Sequence, residues 1–432
     1  MITFKRYLNR NVYYLFLIIY ALSLPLESNE DFYEIYKYLH QNPELSLQEF
    51  ETTKYLEDLL EEYGYEIITN IGGNGFAAIL KNGGNKTVLF RADMDALPIK
   101  EETGISFESV KTTKQNGMDV PIMHACGHDI HMTSLIGTAE YFSKNKDSWK
   151  GTIVFILQPA EEIGFGARQM INAGLFKKIP YPDINLALHV SAQTQSGTVH
   201  ITPGFAMANV DSVDVTFYGE GGHGAYPHLT KDPIVMSSQF ITTVQTIISR
   251  NLSPINAGVV TVGSIHGGTK HNIIPNHVDL QITVRSYSDE DRELIISRIK
   301  KIAESIAIQN DLPKNLYPIV KLRDEYTPAV FNNPDLAMRA KEILSKELGK
   351  DKVFDGPQVM GGEDFGQFGR VEPKIPSLLF WIGAVSQKDY KEFLNNSKKL
   401  PSLHSSKFLP DYEKTIDTGI SSSIALIEAH LK

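Results

Sequence analysis

The sequence predicts an α/β fold: a large domain on a mainly parallel sheet with helices on both faces, interrupted by a ferredoxin-like α+β domain. Three observations predict it. Short apolar runs alternate with stretches of helical period, the pattern of a parallel sheet flanked by helices. Several of those runs end in ionisable residues, and in open α/β sheets ligands bind at the carboxyl edge of the strands. Near Asn209 the pattern changes to βαββαβ, a ferredoxin-like succession, and after Tyr326 the first pattern resumes. The boundaries expected are a leader at 1–28, the large domain at 29–207 and 326–432, and the insert at 208–325.

The leader reads as a basic start with Lys5, Arg6 and Arg10, followed by the apolar run "NVYYLFLIIYALSLPL". That is the shape of a secretory signal, too short to span a bilayer comfortably. Export to a periplasm, a secretory lumen or the medium is expected, with Ser28 or Asn29 near the mature start. Because "LPLES" lacks a small-x-small cleavage pair, an uncleaved membrane anchor is the alternative.

From "DFYEIYKYLHQNPELSLQEFETTKYLEDLLEEYG" onward, apolar positions recur at three- and four-residue steps, so helices are expected. "KTVLFRADMDALP" then reads as a strand ending at Asp93 and Asp95. A helix is expected from just after Gly127, which brings Cys126 and His128 to the same edge. "GTIVFILQPAEE" reads as a buried strand running into the Glu161–Glu162 turn, and "DINLALHV" as a strand ending at His189. In the insert, "DSVDVTFYG" and "HVDLQITVRSY" alternate apolar and polar residues as half-buried strands do. Helix "SDEDRELIISRIKKIAESIAIQN" opens on a Ser/Asp-rich start. Helix "PDLAMRAKEILSKELG", strand "IPSLLFWIGA" and helix "YEKTIDTGISSSIALIEAHLK" complete the large domain.

Composition sets the bounds. At 432 residues and 42% hydrophobic content the chain can bury large cores, and two domains are the natural expectation. A formal charge of −9 argues against a nucleic-acid partner, which needs a basic face. A single cysteine excludes a disulfide framework.

That cysteine stands in "MHACGHDIH", inside a histidine cluster. Cys126, His128, Glu162, His189 and, further on, His404 offer the thiolate, imidazole and carboxylate donors that zinc and similar divalent ions take. The thiolate among imidazoles favours zinc, with manganese, cobalt or nickel as alternatives. Five donors exceed one tetrahedral site and suit two ions roughly 3.5–4 Å apart, a geometry used for hydrolysis. Of the Glu161–Glu162 pair, one carboxylate would bind metal while the other moves protons. Asp95 is a candidate for orienting an imidazole or the attacking water, and His124 and His131 are secondary ligand candidates. In the insert, His223 sits in the glycine-rich "GEGGHGAYPH", where it would stabilise an oxyanion. Asn272 and Arg285 would hold a substrate carboxylate. "GGEDFGQF" adds Gly361, Gly362 and Glu363 as a loop allowing close backbone approach.

"LHQNPELSLQEFETT", "RADMDALP", "MHACGHDIHMTSLIG", "QPAEE", "GGHGAYPH", "NIIPN" and "GGEDFGQF" occur in that order. Together they resemble the amidohydrolase branch of the di-metal aminoacylase and carboxypeptidase superfamily. That branch includes hippurate hydrolases, indole-acetyl-amino-acid hydrolases and N-acetyl-diaminopimelate deacetylases. The resemblance covers the chain from about residue 30 to 432. It implies a hydrolase of linear amide bonds acting on small N-acyl amino acids. It implies two divalent metal ions per subunit on Cys126, His128, Glu162, His189 and His404, Glu161 as general base, and Asp95 as catalytic second acid. The insert becomes a lid and dimerisation domain whose His223 reaches an active site, often the partner subunit's. A carboxypeptidase or dipeptidase on the same scaffold, and a non-catalytic ligand-binding relative, are the alternatives. The leader departs from the many cytoplasmic members.

Overall fold

The computed structural model describes residues 30–324 and 326–432; the expected leader and residue 325 lie outside the described residues. Its large sheet has eight strands: β1 (Glu66–Ile68), β2 (Phe76–Lys81), β3 (Thr87–Asp93), β4 (Thr152–Gln158), β5 (Ile184–Gln195), β6 (Val199–Ile201), and, after the insert, strands Val353–Asp355 and Ser377–Val385. The insert contributes β7 (Asn209–Tyr218), β8 (Gly258–His266), β9 (His277–Ser286) and β10 (Ile319–Leu322), so the two late strands are β11 and β12. The large sheet runs in the order β1-β2-β4-β3-β5-β12-β6-β11. Its centre is parallel, β4 with β3, β3 with β5 and β5 with β12. β1 and β2 attach antiparallel at one side, and β6 pairs antiparallel with β12 at the other.

A strand buried on both faces must be apolar at consecutive positions, and β4 shows why. Ile153, Phe155 and Leu157 join the core under one helical layer, while Val154 and Ile156 join the core on the opposite face. The first layer holds α1 (Glu30–Gln41), α2 (Phe50–Glu62), α3 (His128–Lys144) and, from the chain's end, helices Pro334–Glu347 and Tyr412–Leu431. α3 is buried nearly all round, because it lies between the sheet and the terminal helix. The second face is covered by the short helix Gly166–Asn172 and the 3₁₀ turn Asp364–Gly369, which carries Phe365 and Phe368.

The insert forms a separate antiparallel sheet in the order β8-β9-β7-β10, the ferredoxin-like arrangement. One face is packed by helices Pro233–Thr246 and Asp289–Gln309 around Phe217, Phe240 and Ile299. Strand alternation gives the other face to Val210, Ser212, Thr283 and Arg285, all partly exposed. Where the chain crosses between domains, the backbones of Val210 and Thr327 bond each other in both directions at 2.8 and 3.1 Å. Among the described residues, no helix is long and apolar enough to cross a membrane.

Candidate active site

β4 ends at Gln158, and the chain turns sharply after Pro159. Ala160 has φ 54°, a left-handed conformation costly for an L residue with a Cβ. Two buried carboxylates hold that strained turn. Glu49 accepts the Ala160 N–H at 2.8 Å. Asp95, from the end of β3, accepts the N–H groups of Glu161 (3.1 Å) and Glu162 (3.0 Å) and the Ser46 hydroxyl at 2.6 Å. Burial alone would raise the Asp95 pKa, but these hydrogen bonds and His128 outweigh it and hold the carboxyl below its usual range.

The histidine tautomers follow from their partners. His128 opens α3 after Gly127, whose φ of 78° makes it an αL cap. Its Nδ1–H donates to the Asp95 carbonyl at 2.7 Å, leaving a buried Nε2 with no hydrogen-bond partner. His189 donates Nδ1–H to the Val190 carbonyl at 2.8 Å and turns Nε2 toward Cys126 Sγ, 3.7 Å away. His404 comes from the far end of the chain; its backbone N–H bonds the Ala125 carbonyl at 2.9 Å. That places its Nε2 3.3 Å from Cys126 Sγ and 3.4 Å from Glu162 Oε2. Carbonyl-anchored Nδ1–H groups with free Nε2 lone pairs are the arrangement metal-binding imidazoles show.

Thus the structure brings Cys126, His128, Glu162, His189 and His404 together. Within 4.8 Å of one another lie the donor atoms of Cys126–His128–His189, of Cys126–Glu162–His404 and of His128–Glu161–Glu162. Without cations this cluster is electrostatically unfavourable. Burial, then Glu162, Glu161 and Asp93, push the Cys126 thiol well up. Glu162 is raised to about 7 by burial against the opposing pull of His128. The unpartnered His128 Nε2 and Glu162 Oε1, with this soft-and-borderline donor set, fit divalent cations.

The two glutamates diverge as expected. Glu162 faces Cys126 and His404, whereas Glu161 faces Glu363 and Asp364. Burial and the charges of Glu363, Glu162, Asp364 and Asp93 raise the Glu161 pKa well above the carboxylate range. Cations beside it would reverse that shift. The sequence reading missed the anchor beneath. Fully buried Arg91 donates to Asp93 at 2.6 Å, to both oxygens of Glu363 at 2.8 and 3.2 Å, and to Asp364 at 3.3 Å. The available signal was an arginine in mid-strand, which must find buried carboxylates or not be buried. Glu363 is therefore an ion-pair partner rather than only part of a close-approach loop.

The secondary histidines are placed differently. His131 has no free nitrogen: Nδ1 bonds Asp93 at 2.6 Å and Nε2 accepts the Val190 N–H at 3.0 Å, so it is a neutral spacer and not a ligand. His124 is buried with neither ring nitrogen paired, and burial lowers its pKa to about 4.

A cavity of about 1050 Å³ opens over the cluster, between the large domain and the insert. Arg285 lines it, beside Gly362, where an added Cβ would lie 2.3 Å from Val210 Cγ2 and 3.4 Å from Arg285 Nη1. Burial lowers the Arg285 pKa, and its Nε–H donates to Thr283 Oγ1 at 3.2 Å. His223 and Asn272 do not line this cavity. They meet on a ribbon, Gly222–His223 against Ile273–Ile274, where the Gly224 N–H bonds the Asn272 carbonyl. The ribbon hangs from the start of β9, eight residues from Arg285; at roughly 3.4 Å per residue, that is about 27 Å along the strand.

Comparison with known proteins agrees with this architecture. Residues 89–400 match the model of peptidase family M20/M25/M40. The N-acetyldiaminopimelate deacetylase of Leuconostoc mesenteroides is 35% identical over 362 residues, 82% of this chain and 89% of that one. Thermostable carboxypeptidase 2 of Saccharolobus solfataricus is 35% identical over 374 residues, 85% of this chain and 89% of that one. The crystal structure of a dinuclear metal-binding M20 peptidase from Bacillus subtilis superposes with a TM-score of 0.74 at 28% identity, covering 93% of this chain and 98% of that one. The chain thus belongs to peptidase family M20/M25/M40, as a hydrolase of linear amide bonds.

Proposed function

We propose that this chain is a metal-dependent amidohydrolase cleaving the amide bond of N-acyl amino acids, with Glu161 as its general base. The observation that carries the reading is the convergence of a thiol, three imidazoles and a carboxylate around Glu161, in a cavity that also contains Arg285. Cys126, His128, Glu162, His189 and His404 would hold two divalent cations, zinc or manganese before cobalt or nickel. Such a pair supplies Lewis-acid polarisation of the carbonyl and a water acidified to a pKa near ~7.

The remaining work belongs to side chains. Arg285 binds the substrate carboxylate through its guanidinium and so orients the scissile amide. Glu161 takes a proton from the attacking water as the new C–O bond forms. When the C–N bond breaks, the same carboxyl returns that proton to the departing amine. Asp95 fixes the turn from which Glu161 acts. His223 and Asn272, distant from their own cavity, would serve a partner subunit's cavity in a homodimer formed through the insert, His223 stabilising the oxyanion. The unpaired outer edge of β8 and the exposed Ile265 on it support that assembly. The basic-then-apolar start of the sequence supports action in an exported compartment.

Glu161→Gln keeps the shape and removes the base. Metal content should stay intact while turnover falls about 10²–10⁴-fold; near-wild-type turnover would refute the assignment. The S. solfataricus relative's name favours carboxypeptidase action as a second reading. Comparing N-acyl amino acids with peptides of matched carboxyl-terminal residue separates the two.

A further inference from the structure

The proposed cleavage leaves both halves of the substrate unnamed, and the cavity's charges narrow them. Outside the cation cluster and Glu161, the charged residues lining the cavity, among those described, are Arg285 and Glu363. Glu363 is spent, since Arg91 occupies both its oxygens. Arg285 has no ion-pair partner among the described residues: nearby Asp211 is held by Arg292 through two bonds of 2.6 and 2.7 Å. Beyond the reacting centre, the cavity therefore offers, among the described residues, one free fixed cation and no free carboxylate.

An N-acylated neutral amino acid brings one carboxylate and matches that count. N-acetyldiaminopimelate brings two carboxylates and an ammonium. Its distal end would carry a zwitterionic ammonium and carboxylate into the cavity, where neither meets a charged partner among the described residues, a costly burial.

The rest of the wall is mostly apolar, with hydroxyl and amide side chains between the apolar ones. Ile163, Met207, Val259, Val359, Met360 and Trp381 line it. The volume stands at the upper end of the roughly 300–1,000 Å³ that holds drug-sized ligands. An acetyl group would leave most of that wall uncovered. The two methionines adapt to varied shapes because their side chains are unbranched and flexible. Gly361 extends the space: a Cβ built there would lie 3.5 Å from Met207 Cε and 4.0 Å from Val359 Cγ2, ordinary contact distances. Its φ lies outside the left-handed region, so a larger side chain would grow into the cavity without backbone strain.

Resting on the amide-cleavage reading, we propose that the substrates are N-acyl amino acids with a bulky apolar acyl group and an uncharged amino-acid side chain. Diaminopimelate derivatives are discriminated against. Gly361 sets the space available to the acyl group, and Arg285 limits the substrate to one carboxylate.

The test is a panel of N-acetyl-, N-butanoyl-, N-hexanoyl- and N-benzoyl-alanine together with N-acetyldiaminopimelate, offered to the metal-loaded full chain. Each methylene buried should raise kcat/KM roughly fourfold, so hexanoyl should exceed acetyl by on the order of 10²-fold. N-acetyldiaminopimelate should fall below N-acetylalanine. Gly361→Phe should lower the hexanoyl-to-acetyl ratio at least about tenfold. Calorimetric titration of the same ligands into the Glu161→Gln variant, where turnover is blocked, should show the same order in Kd. A flat dependence on acyl length, or N-acetyldiaminopimelate as the preferred substrate, overturns this inference and leaves amide cleavage standing. If no member of the panel is cleaved or bound, the amidohydrolase reading fails and this inference falls with it.

Discussion

Replacing Asp95 by asparagine tests whether the catalytic turn is held from below. The two carboxylate oxygens divide their work: Oδ1 accepts the Glu161 N–H, and Oδ2 accepts the Glu162 N–H and the Ser46 hydroxyl. An asparagine has one acceptor oxygen, and its NH₂ must face one of the two backbone N–H groups. The serine hydroxyl can rotate to accept; a backbone N–H cannot. One buried donor is therefore left unpaired, at about 1–3 kcal/mol, and the surviving bonds lose charge assistance, so about 2–4 kcal/mol in all is expected. Because the same carboxylate fixes the backbone of the ligand Glu162 and lies 3.5 Å from His128 Nδ1, metal affinity should fall about 10–100-fold. Urea unfolding of the metal-free protein, followed by fluorescence, reads the large domain, since Trp149 and Trp381 both lie in it. Metal titration reads the second effect. An Asp95→Asn variant with the wild-type urea midpoint and wild-type metal affinity would refute the bracing role.

Two further outcomes follow from groups around the cluster. His40 donates to Asp129 at 2.7 Å and to Glu101 at 3.1 Å, and although burial opposes its charge, these carboxylates hold its pKa up at about 9. A raised pKa stabilises fully below the unfolded value near ~6.5 and loses its effect as pH climbs through about 9. On the order of 3 kcal/mol should therefore vanish between pH ~6.5 and the alkaline side of that transition. His40→Gln should flatten that part of the urea-midpoint profile, and an unchanged slope would count against the buried imidazolium. Gly127→Ala sets a Cβ 2.5 Å from Val190 Cγ2 at a φ of 78°. A loss of about 2 kcal/mol or more is expected, with weaker metal binding because the same residue starts the helix carrying His128. A neutral effect in both assays would contradict the tight packing of that loop.

How much of this was legible in the sequence depended on whether the signal was local. Strands β3, β4, β5 and β12 each carry a run of apolar residues, and the alternation in β7 and β9 marked them as half-buried. Strands β1, β2, β6 and β11 escaped, being two edge pairs of three to six residues. "FAAILK" lacks the run of β-branched residues that would separate it from a helix. At the site, Cys126 and His128 stood out through their spacing and Glu162 through its strand-end position. His404, 278 residues from Cys126, joins them only because its backbone hydrogen-bonds to Ala125. Arg91 with Glu363 and Asp364, and Glu49 beneath Ala160, were invisible because each pairing spans more than a hundred residues. The placement of His223 and Asn272 was equally non-local. Proximity in a glycine-rich motif gave chemistry, while the length of β9 decided which cavity they could not reach.

The central claim is that five donors from four stretches of chain hold a pair of divalent cations beside Glu161. Anomalous diffraction from crystals of the metal-loaded protein tests it most directly. The account predicts two peaks bounded by Cys126 Sγ, the Nε2 atoms of His128, His189 and His404, and the Glu162 carboxylate, with Glu161 unligated. Peaks placed elsewhere, or a fully loaded protein with no peak at Cys126, would contradict it.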